Sequence, residues 1–418
     1  MYADDSGNSV SAGQRWLRGG ASWHLWVALG AVLAAFVVHA GRVTVDGGMD
    51  NAIVVHAART WLDGGSPYAD RHFLYLPAAV LAAVPQALLP VGVVRYAVPA
   101  GVVAALVVGW GCALRLHGES LRSRFAVLGL FGLAVGFAPF GHLVALGNWT
   151  VAAVAVLPFA LLLAHRGWWT AAGVVIGVTV AVKPLLVPVA LLFVFARRPG
   201  ALAAMVGVPI VGSVLAALVM PDPAGFLTRT LPFLLSGRDE FVRLYEASPA
   251  AVLPRLGVPE AGAGLVAVVG AGVGVWCAWG RWRRGGGDGA QRVGEAGAMV
   301  MLSAFLVSRP SYDHYLLVVV PVLVAGVLRE GAVARSPWFW LAMVPQVPGV
   351  SWPGLEAGTR RAFRDAVTLC VLAVTVAVRG VRGAGVVTQR DCPGRPALGA
   401  VPTRSAPAEQ LPTARLDR

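Results

Sequence analysis

Charge enters this chain mainly in short clusters between long apolar runs, and that pattern leaves few folds open. A helix needs about 17–25 apolar residues to cross the hydrocarbon core of a bilayer. Apolar runs fall near residues 23–40, 96–114, 125–140, 149–164, 169–196, 200–220, 261–280, 296–307, 315–328, 336–350 and 363–378. Backbone groups in lipid have no water to bond, so each run must satisfy its own and become a helix. Continuous Leu, Ala, Val and Gly excludes the alternating pattern of a membrane barrel. Only 13% of the 418 residues are charged, against about 25% in a soluble domain. The pattern predicts an all-α polytopic membrane protein with about 10–13 transmembrane helices. Leu74–Pro90 is short and carries Pro77, Pro85 and Pro90, which allows it to dip into the membrane without crossing; if it crosses, one other span must be re-entrant.

The net charge of +13 would suit nucleic acid on composition alone. The arginines, however, lie in interhelical loops and the C-terminal tail, where positive-inside topology puts them. No nucleic-acid partner is therefore expected. Cys112, Cys277, Cys370 and Cys392 show no metal or disulfide spacing. The first run lacks a small-residue cleavage site, which predicts a retained helix rather than a removed signal peptide. Three regions are expected: a cytoplasmic segment 1–22, a transmembrane catalytic domain 23–380, and a disordered cytoplasmic tail 381–418 rich in Pro, Arg, Thr and Gly.

Arginine bias places Arg15/Arg18, Arg115–Arg124, His165-Arg166, Arg197-Arg198, Arg281–Arg284, Arg329–Arg335 and Arg379/Arg382 inside. The loops 41–73, Gly141–Asn148, 221–258, Ser308–His314 and 351–362, with a break at Lys183, are then outside. Polar groups at membrane depth are costly and mark function. Here they converge on one face.

Asp46 and Asp50 follow the first run in Val-Asp-Gly-Gly-Met-Asp, where the glycines permit a turn. Ile53, Val54, Ala57, Ala58 and Trp61 then recur at helical spacing, which predicts an interfacial amphipathic helix over Asn51–Leu62. The plainer alternative is that the aspartates only cap that helix. Lys183 is the single lysine in the chain. Pro184 removes the next backbone N–H and breaks the helix beside it. An ammonium there suits a phosphate, although a snorkelling lysine would look the same. Arg229 and Arg238 in the loop 221–258 could clamp phosphate bidentately, with Asp239 beside them. Asp313 and His314, His72 and Tyr75, and Asn148 complete the polar set as candidate substrate contacts. No Walker loop, dinucleotide fingerprint, Asp-x-Asp element or His pair occurs, so no nucleotide-sugar donor, no metal and no cofactor are expected.

Several of these elements form a recognisable set. Asp50 after the first helix, Gly65-Ser-Pro-Tyr68, Tyr75-Leu-Pro77 and Val-Lys183-Pro-Leu-Leu resemble glycosyltransferase family 87. Arg71-His-Phe-Leu-Tyr75, Gly173–Leu186 and the stretch Phe226–Asp239 are similar to the branch of that family that transfers arabinofuranose. Met49 stands where a family member carries a second acidic residue. The resemblance implies a GT-C-like helical bundle and a donor sugar, arabinofuranose, on polyprenyl phosphate. It implies a cell-envelope glycan acceptor, a site on the outer face of the plasma membrane, and inversion at the anomeric carbon. Lys183 with Arg238 or Arg229 would hold the phosphate, and Asp50 would act as general base. A polyprenyl-phosphate-mannose donor and a lipid-linked sugar transporter are the alternatives; a transporter would favour inverted repeats, and none is evident.

Overall fold

In the computed structural model, residues 11–236, 245–284, 288–349 and 360–382 are described, and among them there is helix and no strand. The longer helices are α1 (Ala12–Arg18), α2 (Trp23–Val43), α3 (Met49–Leu62), α4 (Pro77–Ala87), α5 (Val91–Leu116), α6 (Arg124–Gly136), α7 (Ala138–Leu146), α8 (Thr150–His165), α9 (Trp169–Val182), α10 (Pro199–Ala217), α11 (Glu260–Arg283), α12 (Gly289–Val307), α13 (Pro337–Met343) and α14 (Arg361–Arg382). Short 3₁₀ and α turns join them, notably over Pro184–Phe195 and Asp313–Ala325.

Helices α2, α5, α10 and α11 are each long and apolar enough to cross a bilayer. They stay largely uncovered by protein: α11 exposes Leu265, Val268 and Trp276, as a lipid-facing helix does. α6 and α7, bent by 74° at Phe137, together have the length and apolar character of either a broken fifth span or a re-entrant loop. Pro139 at the start of α7 lacks the N–H that would continue α6. The apolar run 169–196 divides at Lys183, where Pro184 ends α9 and a 3₁₀ turn begins. α4, α8 and α9 are shorter apolar helices. At 1.5 Å per residue, the 11 residues of α4 reach only about 16 Å, roughly half the hydrocarbon core.

α5 acts as a ruler. Near its start, Tyr96 and Val98 press on Gly41 and Gly47, beyond which α3 begins. At its other end the His117 carbonyl accepts the Arg329 guanidinium, and Glu119 pairs with Arg18 at 3.1 Å. Arg329 also reaches Asp288 at 3.3 Å. About twenty helical residues separate these two polar layers, or roughly 30 Å, the thickness of a hydrocarbon core. α1 docks at the second layer, with Arg124 stacked 4.9 Å over Trp16.

Two cores and a small cluster of Val252, Ala362 and Ala366 hold the described residues together. The larger runs through α5, α6, α8 and α12. The smaller joins Val54, Ala57 and Ala58 of α3 to Tyr68, Phe73 and Tyr75, to Ala79 and Val80 of α4, and to Ala216. It fixes α3 as one unit with the loop 66–76. The expected helix after Asp50 is therefore present, starting two residues before Asn51.

Candidate active site

The site begins with a turn. α2 ends at Thr44, and Asp46, Gly47 and Gly48 all adopt positive φ (52°, 75° and 118°). That conformation suits glycine and is tolerated by Asp. A Cβ on Gly48 would land on the Leu146 carbonyl, and one on Gly147 would land on the Gly47 carbonyl. Two chain reversals, after α2 and after α7, thus pack backbone against backbone. Gly147 (φ 59°) caps α7 in the left-handed conformation. Asp50 follows two residues after Gly48, and Asn148 directly after Gly147.

Asp50 lies in the first turn of α3, at the positive end of the helix dipole. Gly48, not an aspartate, is the N-cap, so the carboxylates are not merely capping groups. Asn148 Nδ2 donates to Asp50 Oδ2 at 2.5 Å. Asn148 Oδ1 accepts from the Thr150 backbone N–H at 2.7 Å, which starts α8, and from Lys183 Nζ at 2.7 Å. The buried amide therefore links a carboxylate to an ammonium. Its orientation is set, because oxygen must face the two donors and nitrogen the carboxylate. Asn51 and Trp149 brace the pair: Trp149 Nε1 donates to Asn51 Oδ1 at 2.9 Å, and Asn51 Nδ2 to the Asp46 carbonyl at 2.8 Å.

Lys183 terminates α9 in extended conformation, and a 3₁₀ turn starts at Pro184. Its ammonium sits 5.7 Å from the Tyr75 ring and 5.6 Å from the Tyr315 ring. Both tyrosines are buried. A cation between two ring faces is attracted to both. With one donor spent on Asn148, two N–H groups remain for a ligand.

Asp313 builds a second centre. It is buried, and its Oδ2 lies 2.5 Å from His142 Nδ1 and 3.1 Å from Arg361 Nη2. Arg361 Nη2 also lies 2.7 Å from His142 Nδ1. One nitrogen cannot donate to the carboxylate and accept from the guanidinium together, so only one of these contacts is a hydrogen bond at a time. The buried His314 ring stacks on Tyr312 and meets Tyr315 edge-on, which joins this centre to the Lys183 pocket.

The side chains of the remaining described candidates have other partners. Asp46 faces Arg59 at 3.7 Å, and exposed His72 pairs with Asp70 at 3.0 Å. Arg229 pairs with Asp222 at 3.1 Å and donates to the Tyr68 carbonyl, holding Ser66–Tyr68 to the turn Phe226–Thr230. Burial and nearby Asp222 push the Tyr68 phenol above the usual tyrosine range. Arg229 thus lies at the smaller core, with its partners there. Arg238 and Asp239 lie outside the described residues. Sequence reasoning did not single out His142, Arg361 or Tyr315; a polar ring in the apolar Gly141-His-Leu-Val was the available signal for the first. Among the described residues, no group of three or more His, Cys, Asp or Glu is placed to hold a metal.

The geometry can be set beside known proteins. Over 182 residues the chain is 35% identical to an α-(1→3)-arabinofuranosyltransferase of Mycobacterium tuberculosis, covering 42% of this chain and 41% of that one. The enzymes of the same name from Mycolicibacterium smegmatis and Corynebacterium glutamicum are 34% and 27% identical over 183 and 176 residues. The matched part spans about two fifths of the length of these curated relatives, 41% in each case. No solved structure matches. The model of glycosyltransferase family 87 matches residues 73–308, more than half of the chain. On that match, and with an all-helical membrane architecture around Lys183, the chain belongs to glycosyltransferase family 87.

Proposed function

We propose that the protein transfers arabinofuranose from a polyprenyl-phosphate donor to a cell-envelope glycan, at the outward-facing surface of the plasma membrane and with inversion. The carrying observation is the Asp50–Asn148–Lys183 chain, a carboxylate and an ammonium held by one buried amide. The names of the similar proteins favour arabinofuranose. The arginine-rich layer at the far end of α5 favours the cytoplasm for that end and the outer face for Asp50.

The chemistry follows from charge. As the glycosidic bond breaks, the leaving phosphate gains negative charge, and Lys183 offers a cation with two free donors. The tyrosine rings exclude water and strengthen that attraction. Asp50 accepts the proton of the attacking acceptor hydroxyl, which enters opposite the phosphate. Asn148 keeps base and cation in register, so both reactants meet in one geometry. The phosphate leaves on its lipid, the sugar carbon inverts, and the proton resides on Asp50.

The test is a cell-free assay in lipid, offering polyprenyl-phosphate arabinose or polyprenyl-phosphate mannose with short oligosaccharide acceptors. Transfer from the arabinose donor is expected. Asp50→Asn should lower it by about 10²–10⁴-fold while the protein still folds, and Lys183→Ala should abolish it. Transfer from the mannose donor alone would replace the sugar. Normal turnover in Asp50→Asn would remove the base from that residue.

A further inference from the structure

One edge of the arginine-rich layer carries rings as well as charge. Trp169 opens α9, Trp279 and Trp282 lie near the end of α11, and Phe195 ends the segment before α10. Trp169 meets Trp282 edge-on, with centroids 6.1 Å apart, and Phe195 packs on Trp279 at 5.0 Å. Three guanidinium groups lie over these rings: Arg198 over Trp169 at 5.4 Å, Arg283 over Trp279 at 5.6 Å and Arg292 over Trp282 at 5.2 Å. We infer that this patch binds the headgroup phosphate of one anionic phospholipid, whose acyl chains run along the uncovered face of α11.

Charge is the first support. A ring attracts a guanidinium without neutralising it. Each of the three arginines keeps its planar fork of N–H donors, the shape that matches phosphate. Among the described residues, none of the three is paired with a carboxylate, whereas their neighbours are: Glu295 holds Arg281 at 3.0 Å, and Asp288 holds Arg329 at 3.3 Å. Arg292 stands between Asp288 and Glu295 on α12 and takes neither. Its Nε is buried with no partner, a donor that costs free energy until something accepts from it. A choline headgroup would bring its own cation against three guanidinium groups, so a net-negative lipid is preferred.

The second support is what lies beside the charge. Trp276, Val273 and Val269 follow Trp279 at helical spacing along α11, and all three are exposed, Trp276 at 73%. From Trp279 to Val269 is about 15 Å, one leaflet's share of the hydrocarbon core. Charge at the layer with an apolar stripe of that length beyond it fits a phospholipid, and a free phosphate would leave the stripe unused. The third support is construction. An arginine that only marks the inner side of a membrane can sit on any loop. Here rings from α9, α11 and the segment before α10 hold arginines from three places in the sequence. Trp169 and Lys183 stand at opposite ends of α9, so a lipid on the patch would steady the helix that presents the ammonium.

The test uses the full chain purified in detergent, with no sugar donor or acceptor, so its outcome is independent of the transferase reading. Phosphatidylglycerol and phosphatidylcholine are added, and bound lipid is counted by native mass spectrometry. Retention of one phosphatidylglycerol in preference to phosphatidylcholine is expected, with a raised Tm. Combining Arg198→Gln, Arg283→Gln and Arg292→Gln should weaken phosphatidylglycerol binding about 10²-fold. Arg198→Gln with Arg283→Gln changes only exposed side chains, guards against misfolding around half-buried Arg292, and should weaken binding about ten-fold. Arg115→Gln, Arg122→Gln and Arg335→Gln together remove the same charge from exposed positions of the same layer and should change binding less than about two-fold. Equal retention of the two lipids, or an equal loss in this second triple variant, would overturn the site. Inorganic phosphate raising the Tm as far as phosphatidylglycerol does would overturn the lipid and leave a free-anion site.

Discussion

Single residues here do work that their neighbours in sequence do not reveal. Asn148 is one amide, yet it receives an ammonium, starts α8 and donates to a carboxylate. At the opposite polar layer His117 shows the same economy. It is buried, and its Nε2 bonds the Val322 carbonyl at 3.1 Å. Burial, aided by Arg329, pushes its pKa down to about 4 from 6.5. The folded protein thus holds His117 neutral, whereas the unfolded chain takes up a proton below pH 6.5. Its stabilising contribution is full above that pH and is lost as pH falls toward 4, on the order of 3 kcal/mol in all. Thermal unfolding in detergent should fall between pH 7 and pH 5, and His117→Asn should flatten that fall. An unchanged slope would show that other groups set it.

The sequence singles out Asp50 by the glycine turn after the first apolar run, Lys183 as the one lysine, set beside a proline in an apolar run, and Asn148 as a polar group in the Gly-Asn-Trp turn, and the structure brings the three into contact. His142 and Arg361 are not singled out in this way. They meet Asp313 across 171 and 48 positions, and spacing along the chain carries no information about such contacts. Arg229 is a candidate phosphate ligand by sequence, and the fold adds its partners Asp222 and Tyr68, the latter far from it along the chain.

At the scale of elements, glycine and proline place the chemistry. Pro184 leaves Lys183 at a helix end instead of on a lipid-facing side, and the sequence announces this because the block is local. The 74° bend between α6 and α7 is less legible, since Pro139 fixes a break but not its angle. Apolar runs give the number of helical segments more readily than their lengths: α4 and α9 stop well before a bilayer thickness, with 11 and 14 residues. The contact of Gly47–Gly48 with Gly147 is invisible beforehand, because it joins two turns distant in sequence. Gly147→Ala should cost about 1–3 kcal/mol from the left-handed backbone alone. The methyl group must also displace the Gly47 carbonyl. A lowered Tm together with lost transfer is the expected result. A stable variant with full activity would mean that the two turns need not touch.

For the whole molecule, two polar layers about 30 Å apart define an orientation that labelling can read. Asp63 lies just after α3 and Ser120 just after α5, and both are exposed. With a membrane-impermeant thiol reagent, Asp63→Cys should react in intact cells and Ser120→Cys only after permeabilisation. The reverse pattern would turn the protein over and exclude an outward-facing site.

The meeting of the two glycine turns has a wider consequence. On the proposed mechanism, the spacing between base and cation is set by the main-chain contact of the two turns together with the single amide of Asn148. The walls around the reactants can therefore be recut, residue by residue, without disturbing the register of the reacting groups. A scaffold of this kind can change which sugar it carries while keeping how it carries it.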